Sequence, residues 1–413
     1  MFASRSKLAI LLTLYLVVFL NAIGYFLTIP TLVDIIANPS YGIIPQEFLN
    51  QWGNYVYSIV LGAGSIAGIL FAPILGRLSD VIGRRKTLLL CVTLTFISLI
   101  LPVIGILNSS IAIFTLGNMV NGIASNNQPI AQAAITDITP AHRSKAIRFS
   151  IDTFVICAAM TLGPMVGSLL SDHQLVSWFN HTTPFIAAAL LTFVAIILLA
   201  WLFPETNTHL QTQQKTIYHA SILSFLDIGK LSPSLKRLLL VFVLAQTGWA
   251  EFFQYLYIYL SMNLHFTQIQ VSLYTGLIGV YLSIGLLLIY PYWIKRTSFR
   301  RSVNWCLLIS MISMFLLGLF SQPWALWLFV IPLSLAIGMY FPSLLTIFSD
   351  ETAAHNQGWI MAIASSLIGV AWLITGFGSI YFSHFGAQVP IMAAAFCLLG
   401  SLVVMIYDNG KAS

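Results

Sequence analysis

Apolar residues fill this chain in blocks of roughly twenty, punctuated by short polar segments. About 20 apolar residues is the length of helix that crosses a hydrocarbon layer about 30 Å thick. The blocks lack the two-residue alternation of a membrane-spanning barrel strand. In lipid a backbone must bond its own polar groups, so each block is predicted to be an α-helix. Twelve helices follow, over 8–33, 53–75, 87–107, 110–137, 146–170, 184–203, 237–260, 268–293, 302–321, 324–348, 358–383 and 387–407. The longest polar gap runs from Pro204 to Lys236. It divides the chain into an N-terminal six-helix half (1–203), a central loop (204–236) and a C-terminal six-helix half (237–413).

Composition sharpens the class. Of the 413 residues, 58% are hydrophobic and only 7% charged, against about 25% charged in a soluble domain. The formal net charge of +6 does not point to nucleic acid, because the basic residues stand between apolar blocks rather than on a polar domain. Numbering the connections alternately from the N-terminus puts all 18 Lys and Arg on one side. They are Arg5, Lys7, Arg77, Arg84, Arg85, Lys86, Arg143, Lys145, Arg148, Lys215, Lys230, Lys236, Arg237, Lys295, Arg296, Arg300, Arg301 and Lys411. Lys and Arg gather on the cytoplasmic side, so both termini are expected there. Arg5 and Lys7 ahead of the apolar run imitate a signal peptide. That run continues to about Pro30 with no small-residue cleavage pattern, so it is expected to remain as the first helix. Cys91, Cys157, Cys306 and Cys397 lie inside apolar blocks and form no close pair, which argues against disulfides and metal sites.

One loop carries a family resemblance. Between the second and third helices stands Gly76-Arg77-Leu78-Ser79-Asp80-Val81-Ile82-Gly83-Arg84-Arg85-Lys86. It resembles the signature loop of the major facilitator superfamily, G-x-L-x-D-x-x-G-R-R, at every fixed position. The resemblance implies a fold of two six-helix halves, and a latch in which Gly76, Asp80, Gly83, Arg84 and Arg85 act with Asp137 to hold the halves together in one state. Gly122, Ala133, Ala134, Asp137 and Arg143 resemble the fourth-helix pattern of drug–proton antiporters. Gly163-Pro164-Met165-Val166-Gly167 resembles their fifth-helix motif, where Gly and Pro permit bending and close packing. Asn21-Ala22-Ile23-Gly24, Thr183-Pro184-Phe185, Pro204-Glu205-Thr206 and Gln357-Gly358 lie as they do in tetracycline–proton antiporters. Departures stand beside these matches. Asn21 replaces a frequent acid, Asn118 a usual arginine and Ser168 the last glycine of the fifth-helix motif. Arg300 and Arg301 look like a worn copy of the signature loop without its Asp and Gly.

Polar groups inside the apolar blocks locate a candidate cavity. In the fourth block Asn118, Asn121, Ser125, Gln128 and Gln132 repeat every three or four residues, one helical face. Facing lipid they would be costly; the alternatives are a water-filled cavity or hydrogen bonds that hold the bundle. The family resemblance implies that helices 1, 4, 7 and 10 line the pathway. These offer Asn21, Tyr25 and Thr28, then Thr247, Glu251 and Gln254, then Tyr340, Ser343 and Thr346. Amides, hydroxyls and aromatics with a single acid suit a neutral or cationic amphipathic solute. Glu251 is the candidate for proton coupling, since a carboxyl inside a membrane is expensive unless it has a task. Asp152 follows Arg148 at i,i+4, a pairing distance. Asp350 and Glu351 at the inner end of the tenth helix are expected to meet basic loops.

The reading is a multi-pass, all-α protein of a bacterial inner membrane, monomeric, without cofactor, metal, nucleic-acid partner or catalytic residues. It is expected to move a small solute by alternating access, as proton-coupled export of an amphipathic compound, with lipid around it. A nutrient or siderophore transporter, in either direction, is the alternative within transport, and a non-transporting solute sensor is the alternative of another class.

Overall fold

The computed structural model describes residues 7–37, 46–139, 141–173, 175–207, 228–260, 264–266, 268–320, 322–383, 385–386 and 388–412. Arg5, Lys215 and His384, the side chains of Asp34 and Tyr257, and most of the central loop lie outside the described residues. The helices are α1 (Lys7–Ala37), α2 (Gln46–Ile82), α3 (Arg84–Leu107), α4 (Ile111–Ala124), α5 (Asn127–Ile138), α6 (His142–Ser171), α7 (Thr183–Leu202) and α8 (Pro233–Ile258). They continue as α9 (Gln268–Ile284), α10 (Tyr290–Arg296), α11 (Phe299–Leu319), α12 (Pro323–Asp350), α13 (Gln357–Ser383) and α14 (Val389–Ala412). Every apolar block is helical, and 11 spans among the described residues are long and apolar enough to cross a membrane.

The fourth block corrects the sequence reading. The helix expected over 110–137 is broken into α4 and α5 by a turn at Ser125 and Asn126. Pro129 explains the break. It has no N–H to give to the carbonyl four residues back, so it belongs in a first turn, and α5 starts two residues before it. Asn126 Nδ2 covers the interruption by donating to the carbonyls of Ile123 (2.9 Å) and Gly68 (3.4 Å). The single polar face drawn through Asn118, Asn121, Ser125, Gln128 and Gln132 is therefore shared by two helices. The eighth block is also interrupted: a π-helical turn over Gly285–Ile289 separates α9 from α10. Other helices outrun their apolar windows, α2 and α6 most visibly, because polar first and last turns leave the hydrophobic pattern before they leave the helix.

The chain forms two compact units. One comprises 1–138, 158–224 and 354–363; the other comprises 139–157, 225–353 and 364–413. Helices α6 and α13 each contribute a segment to both. In the first unit α3, α4 and α7 share a core where Phe114 meets Phe185 edge-on at 6.2 Å over Leu99, Ala188 and Ala189. Glycines let other helices there approach backbone to backbone. A Cβ on Gly122 of α4 would lie 1.8 Å from the Gly64 carbonyl oxygen of α2. A Cβ on Gly167 of α6 would lie 2.0 Å from that of Leu27 in α1. In the second unit α8 packs on α14 at Gly248, whose Cβ would come 2.8 Å from the Ala394 carbonyl oxygen. Phe242 of α8 packs between Phe341 and Phe348 of α12, tilted to the first and edge-on to the second, with centroids 5.8 and 5.5 Å away.

Candidate functional site

The signature loop is a tight reversal between two helices. Gly83 alone separates α2 from α3, at φ 105°, a left-handed value that an L side chain rarely adopts. A Cβ there would also fall 2.2 Å from Glu205 Oε2. The turn brings Asp80 in the last turn of α2 to Arg84 in the first of α3. Both are buried, and Arg84 Nη1 donates to Asp80 Oδ1 at 2.6 Å. Arg84 Nε donates to Asp137 Oδ2 at 2.9 Å, so the guanidinium joins the ends of α2, α3 and α5. Ser79 Oγ accepts a further bond from Nη1 at 2.7 Å. A buried cation is tolerable only with such a set of anionic and polar partners.

Asp80 reaches one element more. Its Oδ1 accepts the Gly358 N–H at 2.9 Å and its Oδ2 the Trp359 N–H at 3.0 Å. These are orphan donors of the first turn of α13, where a carboxylate also meets the positive end of the helix dipole. Gly76 and Gly358 permit the contact, since a Cβ on Gly76 would lie 2.6 Å from the Gly358 carbonyl oxygen. Arg77 sits over the Trp359 ring at 5.0 Å. The structure thus brings Gly76, Asp80, Gly83, Arg84 and Asp137 together. Arg85 sends Nη2 to the Ala200 carbonyl instead.

Three participants were not assigned a role from sequence. Glu205, after α7, caps α3: Oε1 accepts the Arg84 N–H at 2.9 Å and Oε2 the Arg85 N–H at 3.2 Å. Thr206 Oγ1 donates to Asp137 Oδ2 at 3.3 Å, and Asn207 Nδ2 to the Asp80 carbonyl at 2.9 Å. The Pro204-Glu205-Thr206 run was the available signal.

The second unit holds its own charge clusters. Arg300 lacks the Asp and Gly of the signature loop, yet it is paired. Nη2 donates to Glu351 Oε1 at 2.7 Å, and Nη1 pairs with Asp408 Oδ2. Arg237 Nε joins the same Asp408 through Oδ1 at 2.6 Å. The acid is supplied by the last turns of α12 and α14, a partner that distance along the chain concealed. At the start of α6, the nearly buried Lys145 donates to Asp350 Oδ1 at 2.8 Å and to Ser349 Oγ at 2.9 Å. His142 Nδ1 lies 2.5 Å from Asp350 Oδ2. Arg148 Nη1 donates to Thr139 Oγ1, and Asp152 is fully buried.

The cavity residues divide. In the first unit, Asn21 is buried and Tyr25 exposed. Asn118 and Gln128 are half-buried and Ser125 is exposed. Asn121 Nδ2 donates to Ser98 Oγ of α3 at 3.1 Å, a bond between helices. In the second unit, Thr247 bonds its own helix, and Gln254 Nε2 donates to Thr375 Oγ1 of α13 at 2.6 Å. Ser343 is fully buried beside the Tyr290 hydroxyl (2.9 Å), and Tyr340 is almost as buried. Both therefore stand in packed interior. Glu251 is 3% exposed. It lies one turn beyond Gly248, which packs against Ala394 and Cys397 of α14. Half-buried aromatic rings also gather between α8 and α13: Phe253 stands 5.5 Å from Trp249 and 6.0 Å from Trp372. The motif of Gly163, Pro164 and Gly167 does not interrupt α6. Its glycines admit Phe26 and Leu27 of α1.

The profile described as Major Facilitator Superfamily matches residues 14–376. The tetracycline resistance protein of class E from Escherichia coli is 23% identical over 364 residues, covering 85% of this chain and 82% of that one. The class B protein from Escherichia coli is 24% identical, covering 90% and 86%. Among solved structures, the human organic anion transporter MFSD10 (TETRAN) superposes with a TM-score of 0.84 at 19% identity, covering 97% of this chain and 100% of that one. The proton:xylose symporter XylE superposes with a TM-score of 0.78 at 14% identity, covering 97% and 96%.

Proposed function

The chain belongs to the Major Facilitator Superfamily, and on that premise we propose that this secondary transporter couples inward proton movement to export of a small amphipathic compound by alternating access. The moving bodies are the six-helix halves 1–203 and 237–413, joined by 204–236. Both termini face the cytoplasm of a bacterial inner membrane, and the chain works as a monomer. The Asp80–Arg84–Asp137 cluster is the latch. It holds the start of α13 through two backbone N–H groups, so it stabilises the state in which they meet. Similarity to tetracycline resistance proteins favours outward movement.

One observation carries the proton coupling: Glu251 is a carboxyl buried inside the membrane-length helix α8, more than a turn from either end. Keeping it charged in lipid costs at least about 2.5 kcal/mol, and opening to water or to a cationic solute removes that cost. Protonation can therefore follow the transport cycle. The test is flux of an amphipathic compound panel in inverted vesicles, with and without an imposed pH gradient. The wild type should accumulate a substrate only with the gradient. Glu251→Gln should be expressed at wild-type level and lose the gradient dependence. Gradient-driven flux unchanged in Glu251→Gln removes that residue from the mechanism, and no gradient-driven flux of any compound in the wild type removes the export reading.

A further inference from the structure

The turn from α10 into α11 combines two features that its fold does not require. Lys295 and Arg296 end α10, Arg301 stands in the first turn of α11, and all three are exposed. The acids that reach this turn, Glu351 and Asp408, are held by Arg300. No acid occurs in the sequence from 285 to 308. Below these cations run two exposed apolar stripes. Leu288 and Tyr292 lead to Arg296 at four-residue steps, and Arg301 leads to Trp305, Ile309 and Ile312 at steps of four, four and three. The Arg301–Ile312 stripe is one face of α11 with charge at one end and apolar surface along the rest, and the other runs from the π-helical turn at Leu288 along α10 to Arg296. The two are braced side by side, since Trp293 Nε1 of α10 donates to Ser302 Oγ of α11 at 3.0 Å. Arg296 lies over the Tyr292 ring at 4.1 Å, and Trp305 is exposed one turn below Arg301, as amphipathic rings are at a bilayer surface.

We propose that this turn is a binding site for an anionic phospholipid, its phosphate held by Lys295, Arg296 and Arg301 and its acyl chains lying on the Leu288–Tyr292 and Trp305–Ile312 stripes. The inference goes beyond the transport reading and depends only on the chain's lying in a membrane.

Native mass spectrometry of the purified full chain tests it, with cardiolipin as the probe. Each cation near an anionic surface contributes about 1 kcal/mol, so K295Q/R296Q/R301Q should weaken cardiolipin binding by about a hundredfold. R301Q alone should weaken it by about fivefold. A control triple at other exposed cations, K86Q/R143Q/K236Q, should bind as the wild type does. Equal loss in both triples would mean diffuse attraction to a basic face and overturn the site. So would phosphatidylcholine binding as tightly as cardiolipin. Full displacement by millimolar inorganic phosphate would assign the turn to a free anion and overturn the lipid assignment.

Discussion

Asp80→Asn is the sharpest perturbation of the latch, because it keeps shape and removes charge. The carboxylate takes three hydrogen bonds: Oδ1 from Arg84 (2.6 Å) and Gly358 (2.9 Å), Oδ2 from Trp359 (3.0 Å). An amide can keep only one acceptor. With the oxygen on the Oδ1 side, its NH2 faces the Trp359 N–H, donor against donor; the reverse flip opposes two donors. The better flip leaves one buried N–H unbonded, which costs about 1–3 kcal/mol. Losing the charge on Arg84 and on the first turn of α13 adds about 1 kcal/mol. A total of about 2–4 kcal/mol is roughly a thirtyfold to thousandfold change in the ratio of two conformational states. The assay is vesicle flux divided by the amount of protein in the membrane, read beside the melting midpoint of the purified chain. Flux per molecule should fall at least tenfold while protein level falls less. Wild-type flux per molecule together with an unchanged midpoint would refute the reasoning, since three buried bonds would then contribute nothing to either state.

Other predictions follow from the packing and the second charge cluster. Gly122→Ala and Gly167→Ala place a methyl 1.8 and 2.0 Å from a carbonyl oxygen of the neighbouring helix; each should cost about 1–3 kcal/mol or more and lower the melting midpoint, whereas a neutral result would mean that these crossings relax freely. Asp408→Asn strips a fully buried acid from Arg237 and Arg300. Both arginines are partly exposed, so the loss should be about 2–3 kcal/mol rather than the larger figure for a sealed pair, with an unchanged melting curve as the refuting outcome. Tags inserted within 175–180 should report the periplasm and tags within 210–225 the cytoplasm; a periplasm-only reporter active at 210–225 removes the proposed orientation.

Much was legible in the sequence. Apolar run length gave the helices, because a hydrocarbon layer sets one length and leaves helix as the solution for each block. The signature loop was readable for a related reason. Its members lie within eleven consecutive residues, and Asp137, a distant partner, was supplied by the family resemblance. The break at Ser125 is also written locally, in Pro129, although the polar residues repeat at helical spacing straight through it. What tertiary structure alone decided is which distant groups meet. Asp80 takes N–H groups 278 and 279 residues away, Lys145 finds Asp350 at a separation of 205, and Arg300 finds Asp408 at 108. Hydropathy cannot anticipate such pairs, since it records whether a side chain leaves water and not which helix stands opposite. The same limit governs the cavity. Glu251 and Ser343 carry the polarity a lining needs, but the rotation of each helix about its own axis decides what they face. That rotation is fixed by packing, with Gly248 against α14 and Phe242 between two rings of α12.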